Sequence, residues 1–200
     1  MEGTRQGNHI DGQVRAFFQA ACRVLPHHYA PSCCLPATRI AVEVLNERQA
    51  PTRPLMVRVV VHNPALVAKG RMAASPEEAR RWRDEDNAAI AVCGNLQMLH
   101  LSWPGHVAAL AGDRWLIDLS LPQLNMPDKD IHLPPLLAEV APGFVAGREH
   151  MMWMIHGCRV FYRAYPGNHS YAGSREWQDL ASHGPALREI REFLSAARHG

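Results

Sequence analysis

Three side chains in this sequence could together break an acyl bond: Cys34, His106 and Asp118. A thiolate is a strong nucleophile, an imidazole can take its proton and return it, and a carboxylate can hold that imidazole in one tautomer. Cys34 lies in Ser32-Cys33-Cys34-Leu35-Pro36-Ala37-Thr38-Arg39. Ser32 is a good N-cap residue, and Pro36 is tolerated only in the first turn of a helix. Beyond it Ile40, Ala41, Val44 and Leu45 recur at helical spacing. Cys34 is therefore expected in a first turn, at the positive end of the helix dipole, where the thiolate form is favoured. Cys33 shares that turn, and capping logic does not choose between the two.

Asp118 sits in Trp115-Leu116-Ile117-Asp118-Leu119, an apolar strand in which a carboxylate is costly without a partner. His106 begins the preceding strand, and the turn between them lies at Gly112-Asp113. A two-residue turn would put Asp118 on the opposite face from His106. A three-residue turn over 111–113, with Gly112 at positive φ, would pair His106 directly with Asp118. Bringing the two together thus requires the longer turn or a bulge.

The elements that must position these residues are legible in outline. Asp11 is expected to cap a helix over 11–24 that buries Val14, Phe17, Phe18 and Ala21, after a weakly held segment 1–10 and before a loop containing His27 and His28. The Cys34 helix should end near residues 48–49. Residues 55–62, rich in valine, read as a strand. Residues 64–74 read as an irregular connection, and Ser75-Pro76-Glu77-Glu78 as a capped helix start whose charges, from Arg80 to Asp86, form a solvated face. Strands are expected at 106–111, 115–119, 151–156 and 159–165. The proline-rich stretch 120–150 reads as a long ordered loop with one short helix, and a final helix spans about 185–198.

Composition narrows the class. The chain has 200 residues, 47% of them hydrophobic and 20% charged, enough for one domain with a sizeable core. A formal net charge of +2 gives no argument for nucleic acid or a membrane surface as partner. No apolar run approaches the ~18–20 residues that span a bilayer, and the N-terminal stretch lacks the apolar segment of a signal peptide. The five cysteines are not spaced as a disulfide framework, so a reducing cytoplasm is the expected location.

The stretch Cys34-Leu-Pro-Ala-Thr-Arg-Ile-Ala-Val-Glu-Val-Leu45, followed by Gln49-Ala50-Pro51-Thr52-Arg53 and a valine-rich strand, resembles the core of bacterial transglutaminase-like proteins. Gly105-His106 through Trp115-Leu-Ile-Asp118 resembles the two strands that follow in that family, one led by a histidine and the next bearing an aspartate. Arylamine N-acetyltransferases and papain-like peptidases share this logic. The spacing to Pro51 and Arg53 matches the family from Cys34 and is one residue too long from Cys33. The resemblance implies an α+β, papain/transglutaminase-like fold: N-terminal helices packed on an antiparallel sheet, with a core at about 11–122 and an elaboration over 123–200. It implies a Cys34-His106-Asp118 triad acting through a thioester on a peptide, amide or acyl-thioester substrate, with no cofactor and no metal. Hydrolysis is the favoured outcome, transfer to an amine the alternative, and a catalytically inactive binding module a rival of another class.

The remaining candidates carry plainer alternatives. Gln123 is a candidate substrate-side amide, and Trp103 a candidate cleft wall that could equally be a core residue. His27, His28, Cys33 and Cys34 could suggest a metal site, though without zinc-finger spacing. Met151-Met152-Trp153-Met154 could line an acyl pocket, with core packing the ordinary reading. Nothing in the sequence specifies an oligomeric state.

Overall fold

The computed structural model describes residues 2–30, 32–94 and 105–197, with residues 2–8 as backbone only. Its organising element is β1 (Thr52–His62), an eleven-residue strand in the centre of an antiparallel sheet. The other strands are β2 (Ile90–Cys93), β3 (His106–Ala111), β4 (Trp115–Asp118), β5 (Leu136–Glu139), β6 (His150–Ile155) and β7 (Cys158–Ala164). They lie in the order β5-β4-β3-β1-β7-β6. β2 pairs with the outer half of β1, at Val59–His62, while β3 pairs with its first half.

The helices are α1 (Glu2–His28), α2 (Cys34–Glu47), α3 (Pro64–Ala68), α4 (Pro76–Glu85), α5 (Pro142–Val145), α6 (Arg175–Gln178) and α7 (Gly184–Ala196). α1, α2 and α7 pack on one face of the sheet against Ala109, Ala111, Trp115 and Ile117. The other face carries Leu55, Val57, Val59 and Val61 of β1 with Val160 and Tyr162 of β7. It is covered by Leu121, Leu124, Ile131, Leu133, Val140 and Phe144. Every residue of β3 and β4 is buried, because both faces of these strands are covered. The architecture is α+β, with helices on an antiparallel sheet.

Several elements differ from the sequence reading. α1 starts at Glu2 and runs through Pro26 to His28, so it includes the segment expected to be weak and the one expected to be loop. Asp11 is consequently inside the helix rather than its cap, and its carboxylate accepts the Trp115 indole N–H at 2.7 Å. The residues preceding β1 join it from Thr52, since Asn46 bonds both the Thr52 N–H and its carbonyl. Residues 64–68 form α3, capped by Asn63, whose side chain accepts the Leu66 N–H. At α4 Ser75 accepts the Glu78 N–H at 3.2 Å, but the Glu78 carboxylate reaches past the cap to the Ala74 N–H at 2.7 Å. The charged side chains from Arg80 to Asp86 are exposed and Trp82 is buried, as the charge run implied. β2 was not anticipated.

The 120–150 stretch holds more regular structure than its prolines suggest: 3₁₀ turns at Leu121–Leu124 and Pro127–Lys129, then β5 and α5. The β6–β7 hairpin turns through His156 and Gly157, both at positive φ, as a two-residue hairpin turn requires. Along β6, Met151, Trp153 and Ile155 pack against the core, whereas Met152 and Met154 are exposed. Among the described residues no helix is long and apolar enough to cross a membrane.

Candidate active site

Cys34 is the first residue of α2. The N-cap is Cys33 rather than Ser32, and no side chain caps the helix. The first turn closes instead through the Ala37 N–H to the Cys33 carbonyl, at 2.9 Å. Pro36, which has no N–H, falls where helix N–H groups have no partner within the helix anyway. One turn further, Thr38 donates its buried hydroxyl to the Val107 carbonyl at 3.0 Å. Val107 follows His106, so this bond ties the cysteine end of α2 to the histidine end of β3.

The β3–β4 register settles the hairpin. Ala111 pairs with Trp115, Leu110 with Leu116 and Ala109 with Ile117, leaving Gly112-Asp113-Arg114 as a three-residue turn. Gly112 and Asp113 both have positive φ. The turn has the expected length but sits one residue later than 111–113. Continuing the register puts Asp118 opposite Ala108, so His106 and Asp118 are diagonal neighbours on one face rather than directly paired. Diagonal side chains of this size still meet, and His106 Nε2 lies 2.7 Å from Asp118 Oδ2.

The Asp118 carboxylate is wholly buried and fully partnered. Oδ2 also accepts the Tyr162 hydroxyl at 2.7 Å, and Oδ1 accepts the Ser120 N–H and hydroxyl, each at 3.1 Å. Burial pushes this carboxyl upward, but His106, Tyr162 and Ser120 outweigh it and hold it below its ordinary value. Burial likewise pushes the His106 imidazole downward. The charge and hydrogen bond of Asp118, with smaller contributions from the Cys34 and Cys93 thiols, hold it well above its ordinary value. Burial and the Asp118 charge drive the Tyr162 phenol well above its usual range, so its proton stays on the hydroxyl facing Asp118.

On the other side of the ring, Gln123 Nε2 lies 2.8 Å from His106 Nδ1 and 3.5 Å from Cys93 Sγ. With the amide so turned, its N–H donates to Nδ1, and the neutral ring carries its proton on Nε2, toward Asp118. The Cys34 and Cys93 thiols both act on the same imidazole and raise it. Cys34 keeps 9% exposure and His106 none. The neighbouring Cys33 thiol is pushed up to about 11, chiefly by burial and then by the Cys34 charge.

The structure thus brings Cys34, His106, Asp118 and Gln123 together, while Trp103 lies outside the described residues. Among the described residues no three His, Cys, Asp or Glu side chains form a group that could hold a metal ion, so the His27, His28, Cys33 and Cys34 set lacks such a cluster. Cys93, Ser120, Tyr162 and Thr38 were not read as site residues. For Ser120 a local signal existed: an aspartate two residues before a serine can bond its backbone N–H. Cys93 and Tyr162 arrive through long-range strand pairing, which no local pattern announces. Comparison with protein-family models, curated proteins and solved structures returns no match to this chain.

Proposed function

We propose that this chain is a cysteine-dependent acyl-transfer enzyme of the transglutaminase-like type suggested by its sequence. The observation that carries the reading is His106: a buried imidazole bonded to Asp118 through Nε2, with the Cys34 thiol at a helix start acting on the same ring.

The steps follow from the roles of the groups. The Gln123 amide turns its oxygen toward His106 Nδ1, which takes the Cys34 proton, and the sulfur attacks the substrate carbonyl carbon. The electron pair of the carbonyl moves to oxygen, which the Cys34 backbone N–H, free of a partner within the helix, is placed to receive. Collapse breaks the bond to the leaving amine, alcohol or thiol, which takes the proton from His106 and departs. The product is an S-acyl Cys34 thioester. Water, deprotonated by His106, then attacks the thioester; the acid leaves and the proton returns to Cys34. Asp118 holds the ring throughout and remains ionised, and Gln123 holds the ring's opposite edge.

Hydrolysis of an amide or peptide bond is the favoured reaction, and an amine in place of water gives transfer by the same steps. Incubation with a p-nitrophenyl ester, followed by intact-mass measurement, tests this directly. An acyl adduct on Cys34, absent from Cys34→Ala, supports the reading. Absence of both an adduct and product release across ester and amide panels contradicts it.

A further inference from the structure

A cavity of about 380 Å³ opens beside the cysteine cluster. That volume lies within the ~300–1,000 Å³ range of small-molecule sites and is more than twice the ~150 Å³ of a dry apolar cavity that accepts benzene. One wall is α1, through Ala21, Leu25 and Pro26. The other is made by Cys33, Leu119 and Pro122. Each of these last three is the chain neighbour of a site residue: Cys34, Asp118 and Gln123 respectively. The cavity therefore lies beside the candidate active site on the side of the Cys33 thiol, which feels the Cys34, Asp118 and His106 charges.

Its chemistry is uniform. No charged side chain among the described residues lines it. The polar side chains on its wall are those of Cys22, Cys33 and Tyr29, and the Tyr29 hydroxyl is already bonded to His183 Nδ1 at 2.9 Å. Burial drives both the Cys22 and Cys33 thiols up to about 11, so each is a neutral, weakly polar surface at pH 7. A peptide backbone placed here would bury N–H and C=O groups with few partners, each at a cost. A hydrocarbon chain would leave nothing unpaired.

We infer that this cavity holds the apolar acyl chain of the donor whose carbonyl Cys34 attacks, an assignment that rests on the acyl-transfer reading above. The donor is then an amide, ester or thioester of a medium-length, uncharged acid.

Titration calorimetry on the Cys34→Ala chain, which cannot turn over, tests the assignment with acetamide, butanamide, hexanamide and octanamide. Affinity should rise about fourfold per methylene. Two variants in the Cys34→Ala background guard against misfolding. Ala30→Trp fills the mouth at an exposed position, and Cys22→Asp puts a charge on the half-buried wall. Each should weaken octanamide binding at least tenfold. Affinity independent of chain length, octanamide binding untouched by both folded variants, or tighter binding of N-acetyl-phenylalaninamide than of octanamide would overturn it. The two claims separate cleanly. An acyl adduct on wild-type Cys34 without chain-length dependence sinks the cavity assignment alone. Chain-length-dependent binding with no adduct supports an apolar-chain site and sinks the acyl-transfer reading.

Discussion

His106 and Asp118 meet at 2.7 Å although they are diagonal, not opposite, across the β3–β4 hairpin. The contact depends on Asp118 being held from three other directions. The Ser120 N–H, the Ser120 hydroxyl and the Tyr162 hydroxyl leave the carboxylate one free approach, which points at the ring. The orientation of the imidazole is therefore set by residues from β4, the turn after it, and β7.

Tyr162→Phe removes one donor from a buried carboxylate while keeping the ring that fills the core. A hydrogen bond to a charged group contributes about 1.5–3 kcal/mol. Denaturant unfolding should show a loss of that size with an unchanged m-value. A loss below about 0.5 kcal/mol would mean that Asp118 does not depend on this hydroxyl.

Asp118→Asn should leave the fold intact and lower acyl-transfer kcat by about 10⁴-fold, the scale seen when an orienting carboxylate is neutralised in a triad. Steady-state hydrolysis of an ester or amide substrate measures it. Undiminished turnover in a folded Asp118→Asn chain would remove the aspartate from the mechanism.

The pair also imposes a pH dependence on stability. His106 titrates well above its ordinary 6.5 in the folded chain, so its contribution is complete below 6.5 and is lost as pH rises through the folded value. Asp118 titrates below its ordinary 3.8, so its contribution is complete above 3.8 and is lost as pH falls through the folded value. The two together should be at full strength between about 3.8 and 6.5. Unfolding free energy should decline from pH 6.5 toward alkaline pH, and Asp118→Asn should flatten that decline. A wild-type profile that rises with pH over this range, or an unchanged slope in the variant, contradicts the charge pairing.

Thr38→Val tests how α2 is held against β3. The substitution keeps the shape and deletes the buried bond to the Val107 carbonyl. Stability should fall by about 1–3 kcal/mol. Since small misplacements can cost as much as ~10²-fold in rate, kcat/KM should fall further than for a variant of equal stability elsewhere in the core. Equal activity would show that Cys34 and His106 are positioned by other contacts.

The sequence carried the local parts of this site well. Periodicity placed Cys34 in a first helical turn, and the cost of a carboxylate in an apolar strand pointed Asp118 toward a partner. What it missed depends on distant pairing. The turn slipped by one residue because Gly112 and Asp113 both adopt positive φ, and single-sequence turn chemistry does not distinguish the two registers. The first helix was expected to end near residue 24, but α1 continues through Pro26 to His28 because its apolar face packs on α2 and α7. β2 and β5 are four residues each, too short for a periodic signal, and gain their pairing from β1 and β4. Cys93 reaches His106 only through that β2 pairing. Prolines concealed the structure in 121–145, where they open short turns and α5 rather than breaking longer elements.

The central claim is that His106 activates Cys34. The direct measurement is the rate of iodoacetamide alkylation at each of the five cysteines at pH 7, read by peptide mass spectrometry in wild type and in His106→Ala. Cys34 should be modified first, ahead of Cys22, Cys33, Cys93 and Cys158, and should slow by about tenfold or more without the imidazole. Cys93 reacting in its place, or a Cys34 rate unmoved by the loss of His106, would contradict the account.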